Sequence, residues 1–379
     1  MRILFFQPSL NGHFLEYLHH EYIACCHNKI NKFFFVVPES FKEQHLELNW
    51  PAFDNVKFVY MSNSEYVACN QSSAIRRSLS QSKIIRRYCK LYKVSHCFLN
   101  NLVESMPLLP FFLPRKCKAS GILYGIYRWN EDQLSKKKLY FNKFLYRLYS
   151  KKNFFKKVYL LNDHESSTLY NKKLSTDVFS YLPDPINIGE NYVPKNGIRK
   201  SLGISGTDKV YLQLGIQSRK HPFEILAAIK MMTNDELKDK VFIFAGVFEE
   251  SIKERFLSEI TSLNNKARII LKTGRIPFET VYDLFYISDY CFVLYDNSNM
   301  SSGVIGYASH FKTYVIGVSH GLLGSLIKRY NLGIGIDNVT SENVYSVIIS
   351  HGIFSGKKEY IDKNSVKNFC NILMSNFEK

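Results

Sequence analysis

Short runs of β-branched and aromatic residues, separated again and again by longer stretches of helical period, constrain this chain more than any other feature. In the first half the runs are Ile3–Gln7, Phe33–Val37, Val56–Tyr60, His96–Leu99, Gly121–Tyr124, Val158–Leu161 and Val178–Tyr181. In the second they are Val210–Leu214, Val241–Ala245, Ala267–Leu271, Tyr290–Leu294, Tyr314–Val318 and Leu332–Ile336. Continuous apolar strands alternating with helices imply parallel sheets covered on both faces, an α/β fold. Two such series in 379 residues imply two Rossmann-like domains that face each other, each long enough to bury a full core.

The joint falls at Leu182-Pro183-Asp184-Pro185 through Pro194, a stretch with three prolines, a glycine and no helical period. The expected division is a first domain over 1–185, a second over 186–362, and a terminal segment, 363–379. In that last segment Val366, Phe369, Ile372, Leu373 and Phe377 have helical spacing, and the helix can pack back toward the first domain. No apolar run approaches the roughly 18 residues of a membrane-crossing helix. Met1–Pro8 reads as a buried strand rather than a signal peptide. The eight cysteines form no CxxC pair and match no zinc spacing, so they read as reduced thiols in a cytoplasmic protein, with no metal expected.

The net charge of +17 is uneven. Residues 1–185 carry 27 basic and 14 acidic side chains, and the remainder carries 23 and 19. One basic segment holds Arg76, Arg77, Lys83, Arg86, Arg87, Lys90 and Lys93; another, Lys136–Lys157, has nine basic residues and no acidic one. Within the second, Phe141, Phe144, Leu145 and Leu148 have the spacing of one helix face. A basic amphipathic helix of this kind can lie on an anionic membrane surface. It can equally be a surface helix whose apolar face packs on its own domain. Nucleic acid is the third reading of the charge, but no RNP, helix-turn-helix or zinc-finger pattern accompanies it, and no nucleic-acid partner is expected.

In doubly wound domains ligands meet the segments that follow the strands. After the first strand comes Asn11-Gly12-His13-Phe14-Leu15-Glu16; Gly12 permits a close backbone approach, and His13 and Glu16 fall in the first helical turn. A plain strand-to-helix turn reads the same way. After His96–Leu99, Asn101 is a candidate for acceptor contact with His13 and Glu16, and Glu104 joins His13 as a candidate catalytic group. In the second half, Gly215-Ile216-Gln217-Ser218-Arg219-Lys220-His221 sets two cations at a helix start, which suits a diphosphate. Gly274-Arg275-Ile276-Pro277 shapes a loop that could grip a base. Asn299-Met300-Ser301-Ser302-Gly303-Val304 offers hydroxyls and free N–H groups to an anion, or simply caps its helix. Ser-His-Asp, HExxH and Walker A patterns are absent from the sequence.

Taken in order, Leu160-Leu161-Asn162-Asp163, Leu182-Pro183-Asp184-Pro185, Arg199–Ile204, Leu214–Lys220 and Ser301–Gly324 resemble the large retaining family of GT-B glycosyltransferases that use nucleotide sugars. The resemblance implies two facing Rossmann-like domains with parallel sheets and a cleft between them. It implies that Lys220 and Arg219 hold the donor diphosphate, with Gly215 beside them, and that Arg275 and Ile276 hold the base. It gives Ser301, Ser302, Gly303 and Val304 to the phosphate, and Gly12 to the donor and acceptor. The family's two glutamates, eight positions apart, fall on Asn299 and Tyr307, which could serve the sugar and ribose through neutral hydrogen bonds. The family's arginine falls on Ile216 and its glycine after the lysine on His221.

The implied activity is transfer of a sugar from a UDP- or GDP-sugar, with retention and without a metal or other cofactor. The acceptor would be a saccharide or lipid-linked intermediate of bacterial surface polysaccharide, met at the cytoplasmic face of the cell membrane. The alternatives are a binding or scaffold protein of the same shape, or a nucleic-acid-binding protein.

Overall fold

The computed structural model describes residues 1–10, 14–48, 50–189, 192–350 and 352–378. Among them every run read above as a strand forms one. These are β1 (Arg2–Phe6), β2 (Lys32–Pro38), β3 (Val56–Met61), β4 (His96–Leu99), β5 (Lys118–Leu123), β6 (Phe155–Leu161), β7 (Phe179–Leu182), β8 (Lys209–Ile216), β9 (Lys240–Phe248), β10 (Arg268–Thr273), β11 (Tyr290–Val293), β12 (Tyr314–Val318) and β13 (Gly333–Ile336). The chain divides into two units, Met1–Pro183 with Val366–Lys379, and Asp184–Ser365.

The first unit holds a seven-stranded sheet in the order β3-β2-β1-β4-β5-β6-β7, and the second a six-stranded sheet in the order β10-β9-β8-β11-β12-β13. Neighbours in both sheets are parallel. Each sheet therefore starts in its middle, winds outward to one side, and returns to wind outward to the other. The reversal lies between β1 and β4 in the first unit and between β8 and β11 in the second. At such a reversal the loops leaving the two central strands diverge to opposite faces and open a crevice at the strands' carboxyl ends.

Aromatic rings fill the core of the first unit. Phe5 on β1 stacks on Phe35 of β2 at 4.7 Å between centroids and meets Phe98 of β4 at 5.1 Å. Phe377, beyond the terminal helix Val366–Ser375, closes this cluster at 5.8 Å from Phe5. Backbone groups fasten the same segment: the Phe377 carbonyl accepts from Asn31, and the Asn376 carbonyl from Lys156. In the second unit Tyr211 of β8 stacks on Tyr290 at 4.5 Å and on Phe242 at 5.1 Å.

The basic helix Lys136–Tyr149 exists, but its buried face differs from the one the spacing suggested. Leu145, Tyr146 and Tyr149 turn inward, whereas Phe141 and Phe144 stay about half exposed, at 48% and 51%. The reason is aromatic packing. Tyr146 meets Tyr170 at 4.4 Å, Tyr127 at 4.8 Å and Phe179 at 5.6 Å, a nest that Phe144, one-half turn away, cannot share. Tyr140, Phe141 and Phe144 are thus left at the surface beside exposed Lys136, Lys137 and Lys138.

Candidate functional site

The second unit's reversal point gathers most of the residues singled out from sequence. Gly215, at φ +81°, stands just before the end of β8, and a 3-10 turn, Ser218–Lys220, and the helix Pro222–Met231 follow the strand. The positive φ of Gly215 disfavours a side chain there, and a Cβ would also meet the Lys220 ammonium at 2.7 Å and displace it. Lys220 folds back through this gap, donates to the Leu214 carbonyl at 2.7 Å and lies over the Tyr295 ring at 5.1 Å. Burial, and then the neighbouring Arg219 charge, push its pKa down to about 8. Arg219 itself is exposed.

Two carboxylates brace this turn. Glu249, after β9, accepts from the Ser218 N–H at 2.8 Å and hydroxyl at 2.7 Å, and these bonds hold its carboxyl below the usual range. Asp296, after β11, accepts from His221 Nε2 at 2.7 Å, and its own N–H donates to the Arg219 carbonyl at 3.1 Å. His221 adopts φ +54°, a left-handed conformation that glycine takes up without strain and a histidine does not.

From β11 the chain passes Tyr295 and Asn299 and starts the helix Gly303–Phe311 with Ser302 as N-cap. Ser302 makes no side-chain capping bond to this helix; the Ile305 N–H donates to the Ser302 carbonyl at 3.1 Å, and the Gly303 and Val304 N–H groups are left uncapped by the serine hydroxyl. The Ser301 hydroxyl is engaged elsewhere, donating to Asp184 at 2.6 Å. Three buried side-chain oxygens, Gln213 Oε1, Gln217 Oε1 and Asn299 Oδ1, find no hydrogen-bond partner among the described residues. Such acceptors are costly to bury unless a water or a ligand donates to them.

The remaining predicted residues of this unit are more scattered. Gly274 (φ +96°) follows β10 and donates to the carbonyl of Gly246 (φ +118°) on β9, so with Gly215 on β8 three glycines of positive φ stand at or just beyond neighbouring strands. Gly246 was not singled out from sequence; its only signal is a glycine at a strand's end, which is common. Arg275 is exposed and Ile276 half-buried. Tyr307 packs its ring on Tyr282 and Phe285, at 5.6 and 5.7 Å.

In the first unit Gly12 and His13 lie outside the described residues. Glu16 sits half-buried in the first turn of the helix Phe14–Cys26. Asn101 is the N-cap of the 3-10 helix Leu102–Ser105, at the carboxyl end of β4. Glu104 accepts from Gln81 at 3.4 Å, and Gln81 also binds the Cys69 carbonyl and the Ser105 hydroxyl, so this carboxylate belongs to a network that anchors its loop. Sequence reading passed over a neighbouring cluster. Trp129, after β5, donates to Asp163, after β6, at 2.5 Å, and Arg128 lies over the Trp129 ring at 4.6 Å. One of the chain's two tryptophans followed by charged residues was the available signal.

No family model matches the chain, and no curated protein matches it. Solved structures match over nearly its whole length. Sucrose-phosphate synthase from Thermosynechococcus elongatus aligns with a TM-score of 0.70 at 10% identity, over 99% of this chain and 98% of that one. Anabaena Alr3699/HepE in complex with UDP and glucose gives 0.68 at 13% identity, over 100% and 99%. A Listeria monocytogenes structure described as a UDP-N-acetylglucosamine 2-epimerase gives 0.62 at 12%, over 100% and 96%. The fold is that of the GT-B class, two doubly wound α/β units, and likeness at these identities defines the fold alone.

Proposed function

We propose that the chain is a glycosyltransferase that uses a nucleoside-diphosphate sugar, UDP- or GDP-linked, and that the donor's diphosphate binds at the reversal point of the second unit. The observation that carries this reading is the convergence there of a half-buried ammonium, Lys220, an adjacent exposed cation, Arg219, and the Gly303 helix start. The orphaned oxygens of Gln217 and Asn299 suit hydroxyl donors of a sugar, and the Gly274–Pro277 loop suits the base.

The mechanism follows from electrostatics. As the glycosidic bond breaks, negative charge grows on the leaving diphosphate. Lys220, Arg219 and the helix start stabilise that charge without reorganising. In this reading they do the work that a metal does elsewhere, and the acceptor attacks from the leaving-group side, with retention and with no protein nucleophile. Asn299 and Tyr307 would touch the sugar and ribose as neutral partners. The acceptor, a saccharide or lipid-linked intermediate of bacterial surface polysaccharide, is met by the first unit, with Glu16, Asn101, His13 and Glu104 as the groups to test. The exposed Tyr140, Phe141 and Phe144 beside Lys136–Lys138 suit an anionic membrane at its cytoplasmic face.

The test is ligand-dependent stabilisation by UDP, GDP and their sugars, followed by turnover with the stabilising donor. Equal melting temperatures with and without every nucleotide would end the proposal. A second reading, binding without turnover, is favoured by the neutral Asn299 and Tyr307, and stabilisation without product would select it.

A further inference from the structure

Three of the eight cysteines, far apart in sequence, meet inside the first unit. Cys89 lies near the end of the helix Ala74–Leu91, Cys97 is the second residue of β4, and Cys117 immediately precedes β5. All three are buried, their sulfurs lie within 4.8 Å of one another, and Cys117 Sγ is 3.9 Å from Cys89 Sγ.

The backbone fixes this convergence. The Val94 N–H donates to the Cys89 carbonyl at 2.8 Å, Cys117 N–H to Pro114 at 2.8 Å, and Lys118 N–H to Ser95 at 3.2 Å. β4 and β5 pair in register, with Cys97 opposite Ala119. The cluster stands at the amino-terminal edge of the sheet, away from the loops that leave β1 and β4, so it is separate from the site described above.

The geometry points to a metal site, and we propose that Cys89, Cys97 and Cys117 form a three-thiolate site for one soft, closed-shell cation, best matched by Cu(I). With a metal–sulfur bond of about 2.3 Å, sulfurs stand about 3.8 Å apart around a tetrahedral ion and about 4.0 Å around a trigonal one. The Cys117–Cys89 separation of 3.9 Å already lies in that range. A disulfide needs about 2.05 Å and would use two sulfurs, leaving the third idle. No further His, Cys, Asp or Glu among the described residues completes the group. Hard cations seek oxygen, whereas thiolates select soft ions, and a set limited to three sulfurs favours an ion content with three. On loading, each ligating thiol releases its proton to solvent; no oxidant or reductant is consumed. The bound ion would tie the end of a long helix to two central strands.

The full chain, reduced and kept free of oxygen, is titrated with Cu(I) buffered by a chromogenic chelator, with Zn(II) in parallel. One Cu(I) per chain is expected, with a raised melting temperature and weaker Zn(II) binding. Cys89→Ser, Cys97→Ala and Cys117→Ser should each weaken Cu(I) binding by about 100-fold, while Cys370→Ser binds like the parent. Because a core substitution can impair folding, the second readout uses the unaltered chain. Thiol labelling in mild denaturant, read by mass spectrometry, should slow on Cu(I) addition far more at Cys89, Cys97 and Cys117, which are ligated, than at Cys25, Cys69 or Cys291, which gain only from the stabilised fold. Failure to retain Cu(I), or protection spread evenly over all the cysteines, overturns the proposal.

Discussion

The reversal points of the two units have the same topology and opposite chemistry. Between β8 and β11 a cation is folded into a glycine gap, two carboxylates brace its turn, and a helix start lacks a side-chain cap. Between β1 and β4 the described residues supply no such cation: Asn100 donates to buried Glu21, Glu104 accepts from Gln81, and Gln7 Oε1, Glu21 Oε1 and Asn100 Oδ1 find no hydrogen-bond partner among the described residues. The same fold thus presents one crevice with cations beside a helix start, which the proposed function gives to an anion, and one with a buried carboxyl and unpartnered acceptors, which suits neutral donors such as hydroxyls. On the proposed reading a diphosphate is the same in every nucleotide sugar, whereas acceptors differ, so the cations of the second crevice are the more legible of the two sets.

The sharpest way to break this contrast is Lys220→Ala. It should cost nucleotide binding about 3 kcal/mol, more than 100-fold in Kd by titration calorimetry. The melting temperature of the free protein should hold or rise, because a half-buried ammonium is itself unfavourable. If stability and affinity fall together, Lys220 serves the fold rather than a ligand. Its pKa near 8 adds a pH signature. Anion binding needs the charged form, so affinity should be flat below about pH 8 and fall by up to about tenfold per unit above it. The folded-state pKa lies below the unfolded value near 10.5, so the folded protein carries a penalty below about pH 8. That penalty is relieved as pH rises toward 10.5. Lys220→Arg should flatten the binding profile.

Next in size is an effect confined to the first unit. Replacing Lys136, Lys137 and Lys138 by glutamine should weaken binding to anionic vesicles by about 2 kcal/mol at low salt, at roughly 1 kcal/mol or less per charge. Phe141→Ser with Phe144→Ser should add to that loss, and donor affinity should not move. Vesicle and donor binding falling together would erase the division of labour between the units.

A smaller effect separates sugar from nucleotide. Asn299→Ala and Gln217→Ala should each weaken a UDP-sugar by about 1 kcal/mol while leaving UDP nearly unchanged, as expected for one neutral hydrogen bond to a hydroxyl. Equal losses for both ligands would move these oxygens away from the sugar.

What was legible in the sequence follows the range of each interaction. All the strands could be read because burial on both faces makes a strand apolar by itself, as in Phe33–Val37. Lys220, Gly215 and Gly303 stood out as candidates because they lie in segments that follow strands, where glycines and cations can meet a ligand. The inward face of Lys136–Tyr149 was not, since periodicity ranks Phe144 with Leu145 and cannot know that Tyr127, Tyr170 and Phe179 wait for Tyr146. The meeting of Cys89, Cys97 and Cys117 was hidden for the same reason: a parallel sheet brings together residues that no local spacing connects. Trp129 and Asp163 likewise come from successive strands.

The smallest expected effect tests how the donor turn is held. His221 occupies a left-handed conformation that costs a non-glycine residue about 1 kcal/mol, and its ring is tied to Asp296 at 2.7 Å and Glu224 at 3.4 Å. His221→Gly removes both the strain and the ties. The two contributions are of similar size, so the melting temperature should move by no more than a few degrees in either direction. Binding should respond differently. Asp296 would keep its N–H bond to the Arg219 carbonyl, so Lys220 should still be presented and the loss of nucleotide affinity should stay within about threefold. A loss as large as that of Lys220→Ala would make the histidine–aspartate pair the element that sets the cation in place, and would locate the donor crevice's preorganisation in its side chains rather than in the backbone turn.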